Sequence, residues 1–330
     1  MLGLDGHWIN RAEVHFALAR EVLVELGHVS APDKEQPPSR RITALGVELD
    51  LDAARMWLGR GKAERYAVRA EVAASRQVVE HAEYMGLLGR LTFAATIYPL
   101  GRPQLQACWR IARATFRLQG DQVLVTERAR RALQWWAREL RREDHEGVPL
   151  ASRAWVPPPG EPGSTAVYAD ASGEEGFAAW LVHGDVVFMV ASEWSEWARS
   201  TLDISDKELL ASTAGLVCLA PLADAQYVRE FTDNTVALAA MRASGARSLA
   251  AQRLVGERVA WMHEHGVLSS ASRITSGNNE WADIGSRPRT RGGWREVCEQ
   301  AHAVGMRFVR APLPREWTED GLLARLVKDA

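Results

Sequence analysis

Four acidic side chains stand where short apolar runs end or helices begin. They are Asp170 in YADAS, Glu208 in SDKELL, Asp233 in FTDN and Asp283 in EWADIGSR, separated by 38, 25 and 50 residues. Carboxylates at strand ends and helix starts can be gathered on one side of a sheet. An all-oxygen cluster of that kind suits a hard cation such as Mg²⁺, with Mn²⁺ as a substitute. Four exceed what one Mg²⁺ ordinarily takes from protein, because that ion keeps waters or substrate phosphates. Two ions about 3.5–4 Å apart would use all four and clamp the attacking and leaving oxygens of a phosphodiester. Asp170, Glu208, Asp233 and Asp283 are therefore the expected metal ligands and catalytic groups.

Each also has a plainer use. Glu208 completes Ser205-Asp206-Lys207-Glu208, a capping-box pattern that would spend its carboxylate on a helix start. Asp233-Asn234 fits a turn and N-cap pair, and Asp283 fits a solvated helix charge. Asp170 is harder to place this way, because a carboxylate closing an apolar strand needs a partner to offset its burial.

The elements that would bring the four together read as follows. STAVYADAS, GFAAWLVHG and DVVFMVASEWS are three β-branched and aromatic runs separated by turn residues, the pattern of a meander. A helix over 206–220, a strand in YVREFTDN, helices over 234–243 and 248–265, a strand near 267–276 and a short helix over 280–286 complete a mixed sheet with flanking helices. Upstream, 11–27 is an amphipathic helix with apolar Val14, Leu18, Val22 and Leu26 and a Gly27 C-cap. ITALGVELDLDAARMWL predicts a small β-hairpin turning at 50–53, and 62–96 and 126–142 predict helices, the last capped by Thr126 and carrying Trp135-Trp136. Pro157-Pro158-Pro159, Gly160, Pro162 and Gly163 give 151–163 a linker composition. The expected organisation is thus a mainly helical part over 1–150, the linker, an α/β domain over 164–290 and an extension over 291–330 with a helix, a short strand in MRFVRAP and a final helix.

The 330 residues are 47% hydrophobic and 25% charged, with a net charge of −2. The longest mostly apolar run, 209–223, is shorter than the ~20 residues a membrane span needs. With no targeting segment visible at the N-terminus, a cytoplasmic or nuclear protein with no membrane association is expected. Cys108, Cys218 and Cys298 lie too far apart for a zinc motif or a disulfide framework. No phosphate-binding loop, nucleophile elbow or histidine ligand pair is present. Charge is uneven: 23 basic against 20 acidic residues over 1–163, 10 against 16 over 164–290, and 7 against 6 over 291–330. Of the basic residues 36 are Arg and four Lys, and Arg grips phosphate bidentately.

The series YADAS, Glu208, FTDN and NNEWADIGSR resembles the ribonuclease H domain of retroelement polyproteins, in which a DEDD set binds two Mg²⁺. LGHVSAPDKEQPPSRRITALGVELD is similar to the end of a reverse transcriptase palm. MGLLGRLTFAATIYPLGRP and TERARRALQWWARELRRE are similar to thumb and connection helices, and among retroelements the similarity is to tyrosine-recombinase (DIRS-type) retrotransposons. The resemblance spans most of 11–290. It implies a ribonuclease H-like mixed five-stranded sheet preceded by a thumb/connection-like part, with the 291–330 extension packed on it. It further implies two-metal hydrolysis of the RNA strand of an RNA/DNA hybrid, leaving a 3′-hydroxyl and a 5′-phosphate. Asp170 would bridge both ions, and Asn279, Asn234 and Arg273 would position substrate; Arg273 lies near where cellular ribonucleases H carry a loop histidine that is not evident here. No Tyr-x-Asp-Asp motif is present, so no polymerase activity is expected. The alternative is a non-catalytic remnant that binds nucleic acid or a protein partner. Nothing in the sequence sets the oligomeric state.

Overall fold

The computed structural model describes residues 11–28, 31, 35–59, 61–98, 100–150, 164–246, 248–318 and 321. The proline-rich stretch over 151–163 and most of the expected final helix lie outside them.

Helix α1 (Arg11–Glu25) forms where periodicity places it, and Gly27 beyond it takes the left-handed φ of 78° that ends helices cheaply. None of its residues is buried; Val14, Leu18, Val22 and Leu26 are all exposed. The expected hairpin is a three-stranded antiparallel meander, β1 (Arg41–Ala44), β2 (Val47–Asp50) and β3 (Arg55–Leu58). The additional turn is Leu45-Gly46, both at positive φ, the tight two-residue connection that suits twisted strands. Leucine at φ 51° hides it from a reading that looks for Asn-Gly or Asp-Gly.

Helix α2 (Lys62–Ser75), β4 (Val78–Glu80), α3 (His81–Ala94), α4 (Gly101–Arg117), β5 (Gln122–Leu124), α5 (Glu127–Glu146) and β6 (Val148–Pro149) follow. α2 turns Ala63, Ala67, Ala70 and Ala74 toward α5, and this small-residue face lets the two helices approach closely. Trp136, Tyr84, Tyr98, Leu88, Leu91, Leu133 and Leu140 fill the core between the helices. Trp136 is fully buried, while Trp135 meets it edge-on at 5.4 Å and stays half-buried. α4 lies outside the helices expected from the sequence, and it carries Gly101 and Pro103 in its first turn. Proline in a first helical turn is tolerated, since the N–H it lacks would have no helical partner there.

Beyond the linker, β7 (Ser164–Ala171), β8 (Gly176–His183) and β9 (Val186–Glu193) form the antiparallel meander, with Asp170 opposite Ala178. After α6 (Glu196–Thr201) and α7 (Ile204–Leu219), strand β10 (Tyr227–Thr232) pairs parallel to β7. Helices α8 (Thr235–Ala243) and α9 (Leu249–Glu264) lead into β11 (Leu268–Arg273), parallel to β10. Then come α10 (Glu280–Gly285), α11 (Gly293–Ala303) and β12 (Arg307–Arg310). β12 adds to the free edge of β9, so the sheet has six strands, in the order β11-β10-β7-β8-β9-β12, where five were expected. The sixth comes from the extension, whose Ala311 and Trp317 enter the core. Among the described residues no helix is long and apolar enough to cross a membrane.

Strand alternation decides what faces what. Val167, Ala169 and Ala171 pack with α7, in which every residue from Asp206 to Leu219 is buried. At Gly215 a Cβ would come within 2.6 Å of the Ala179 Cβ, so only glycine lets α7 lie this close to the sheet. Tyr168 and Asp170 take the opposite face, with α10 and α11 over Ala178, Met189 and Ala191. Beneath β10 and β11, Arg258 of α9 pairs with Glu230, both nearly fully buried, and Ser269 donates to the same carboxylate oxygen. Arg258→Met would strand Glu230 as an uncompensated buried charge, and urea denaturation should show a loss of about 3–5 kcal/mol. Adding Glu230→Gln should recover most of it. A cost below about 1 kcal/mol for the single change would mean that water reaches the pair.

Candidate metal centre

Asp170 is the seventh residue of β7, Glu208 lies just past the first turn of α7, and Asp233 directly follows β10. β7 and β10 are adjacent and parallel, so both carboxylates leave the sheet at the same end, where α7 begins. One oxygen from each of the three comes within 4.8 Å of the others, an arrangement that could hold a metal ion. Asp170 and Glu208 are buried at 5% and 4% exposure.

The capping-box alternative for Glu208 fails on position. Asp203 is the N-cap of α7, accepting from the Asp206 N–H at 2.8 Å, which puts Glu208 two residues past the position that could reach back. Its carboxylate turns instead to the Ala171 N–H and the Thr232 hydroxyl, and its Oε2 is buried with no hydrogen-bond partner among the described residues. Burial, then repulsion from Asp170 and Asp233, pushes the Glu208 carboxyl up to about 9 against those hydrogen bonds. Burial likewise raises Asp170 to about 6, opposed by a hydrogen bond from Ser286 and reinforced by Asp233 and Asp283. A site that strains to stay ionised and leaves a buried oxygen unpartnered is chemically matched to a cation, which reverses both penalties.

Hydroxyls orient the ligands. Ser286 Oγ donates to Asp170 Oδ2 at 2.7 Å and reaches the Asp283 carbonyl at 3.0 Å, while Ser276 Oγ donates to Asp233 Oδ2 at 2.6 Å. Neither serine carries a role expected from the sequence; only the three-residue step from Asp283 to Ser286 hints at one.

Asp283 stands apart from the trio. It lies on α10, acts on Asp170 through space, and is paired with Arg287 at 2.5 Å and with Arg291. Asn279, 1% exposed, donates from Nδ2 to the Ala169 carbonyl at 2.9 Å and so fastens the start of α10 to β7. Asn234 caps α8, its Oδ1 accepting from the Val236 and Ala237 N–H groups at 3.0 and 2.9 Å. Arg273 ends β11, exposed and in register with Thr232. Glu175, not foreseen as important, accepts from the Arg289 N–H, the Thr290 N–H and the Thr290 hydroxyl, tying the loop after α10 to the β7–β8 turn.

No family model and no curated protein matches the chain. Weak structural likeness links it to foamy viral protease-reverse transcriptase solved in complex with double-stranded DNA, at a TM-score of 0.31 in two structures. One is 11% identical, covering 78% of this chain and 42% of that one; the other is 12% identical, covering 80% and 51%. The chain spans about half the length of those proteins or less.

Proposed function

We propose that this chain is a ribonuclease H-type endonuclease that hydrolyses the RNA strand of an RNA/DNA hybrid by two-metal chemistry. The observation that carries the reading is the convergence of Asp170, Glu208 and Asp233 from three separate elements, with Asp170 and Glu208 buried and in no ion pair among the described residues. A single structural ion pair would not need three acids from β7, α7 and β10 at one sheet end. The β7 to β11 arrangement, a meander followed by two parallel strands, supports the same reading, with β12 as an addition at the edge.

In this proposal Asp170, Glu208 and Asp233 would hold the metal, and Asp283 would join them once Arg287 and Arg291 turn to substrate phosphate. Bound Mg²⁺, or Mn²⁺ in its place, would supply activation of the attacking water and stabilisation of the leaving oxygen. Ser286 and Ser276 keep the Asp170 and Asp233 carboxylates oriented. Asn279 acts as a positioning residue through β7, Asn234 by holding the turn after Asp233, and Arg273 is the exposed cation available to a substrate phosphate.

The chain is further proposed to descend from a DIRS-type retroelement reverse transcriptase/ribonuclease H polyprotein, acting in the cytoplasm or nucleus. Residues 1–150 would be its palm-end, thumb and connection-like part, 151–163 the linker, 164–290 the nuclease and 291–330 the extension.

The test is incubation of the protein with an RNA/DNA hybrid labelled on the RNA strand. With Mg²⁺, fragments ending in 3′-hydroxyl and 5′-phosphate are expected, and in EDTA none. The second reading, a non-catalytic nucleic-acid-binding or protein-interaction remnant, draws on Asp283, whose charge is already met by two arginines. Binding of the hybrid without cleavage in Mg²⁺ or Mn²⁺ would favour it.

A further inference from the structure

A cavity of about 610 Å³ opens between the two halves of the molecule, walled by α4 and α5 on one side and by α6, α7 and α9 on the other. Its walls are joined by Gln252, 4% exposed, which donates to the Pro103 carbonyl at 3.0 Å and accepts from the Ala246 N–H at 2.9 Å. It is separate from the carboxylates. Asp206 lines it while Glu208 faces Asp170, and side chains two residues apart leave a helix about 200° apart.

The lining has a definite chemistry. Arg128, Arg131, Trp135 and Arg138 of α5 stand at i, i+3, i+7 and i+10, a single stripe about 15 Å long. Arg253 faces them from α9, and Trp197 adds a second indole. Asp206 and Glu257 are the acidic residues in the lining, and Asp206 is engaged by the Ser248 hydroxyl at 2.8 Å. Among the described residues Arg138 and Arg253 have no hydrogen-bond or ion-pair partner. Arg131 is paired with Glu127, so it is Arg138 and Arg253, with half-buried indole nearby, that give the groove its attraction for a polyanion and a stacking surface for its bases. This is the combination that single-stranded nucleic-acid sites use. The volume is that of a small-molecule pocket, too small to enclose a duplex, whereas the stripe is long enough for more than one phosphate.

We propose that this cleft binds a single nucleic-acid strand, with Arg138 and Arg253 on its phosphates and Trp135 against a base. The site does not depend on the nuclease reading.

The test uses the full chain in EDTA and a fluorescein-labelled oligothymidylate of about twelve nucleotides, followed by anisotropy over a range of salt. Arg138→Glu with Arg253→Glu should raise Kd at least about tenfold and reduce the slope of log K against log salt by about 1.4, two charges at 0.7 each. Arg138→Gln with Arg253→Gln should change both in the same direction, and thermal melts of both pairs should match wild type. Trp135→Leu should weaken binding about fivefold or more with the slope unchanged. Asp170→Asn should bind like wild type, so the cleft can fail while hybrid cleavage persists, and the reverse. An unchanged Kd in both arginine double variants would overturn the proposal. So would displacement of the labelled strand by polyglutamate of equal length as readily as by unlabelled strand, because that is charge attraction alone.

Discussion

Asp170→Asn is expected to lower Mg²⁺-dependent cleavage of the hybrid by about three orders of magnitude or more and, in the same protein without metal, to raise Tm. The two effects have one cause. The Asp170 charge is buried beside two other carboxylates, useful only when a cation is there to meet it. Asparagine keeps the shape and an oxygen to accept from Ser286, but brings no charge into the cluster. With the carboxyl raised from 3.8 to about 6, the penalty removed at neutral pH and above is up to about 3 kcal/mol. For a chain of this size that corresponds to a Tm gain of up to roughly 4 °C in EDTA. Undiminished cleavage would take Asp170 out of the site. A Tm in EDTA below that of wild type would show that its charge is satisfied by the fold and needs no ion.

Glu208 should make stability fall with pH, opposite in sign to a salt-bridged carboxylate. Both Asp170 and Glu208 have folded values above their unfolded ones, so the native state holds protons that the unfolded chain releases. The stability they contribute is complete below about pH 4. It is lost as pH rises through about 6 for Asp170 and about 9 for Glu208. The metal-free protein should therefore melt at progressively lower temperature between about pH 5 and pH 9. Mg²⁺ competes with those protons. Its effect on Tm should be slight near pH 5 and greatest near pH 8–9, where saturation at about 100 times Kd is worth about 2.7 kcal/mol. Glu208→Gln should flatten the metal-free profile above about pH 6.5 and remove most of the Mg²⁺ effect. An equal Mg²⁺ shift at both pH extremes, or an undiminished one in Glu208→Gln, would place the ion elsewhere.

The period-2 pattern of STAVYADA was enough to put Val167, Ala169 and Ala171 on one face and Asp170 on the other, because strand alternation is a property of neighbouring residues. The same holds for α7, whose apolar run could only be a buried helix, and for Asn234, whose amide caps the next helix within three residues. Local readings went astray where a neighbour competed unseen. Asp203 took the cap that Ser205 seemed to offer, and Leu45 accepted a positive φ that its side chain disfavours. Each alternative is locally reasonable, and the packing around it decides.

By itself the sequence determined which residue types lie at the ends of which elements, and in what order. It thereby determined that four carboxylates were available to a cation. Only the tertiary structure decided that three of them meet, because this depends on β10 choosing a place beside β7 from some sixty residues away. It also decided that Asp283 answers first to Arg287 and Arg291, that Arg258 neutralises Glu230 beneath the sheet, and that α5 and α9 face each other across an arginine-lined cleft. Periodicity and turn chemistry act over a few residues and can be read along the chain. Convergence of charge is a matter of distance in space, and it exists only once the strands have paired and the helices have closed over them.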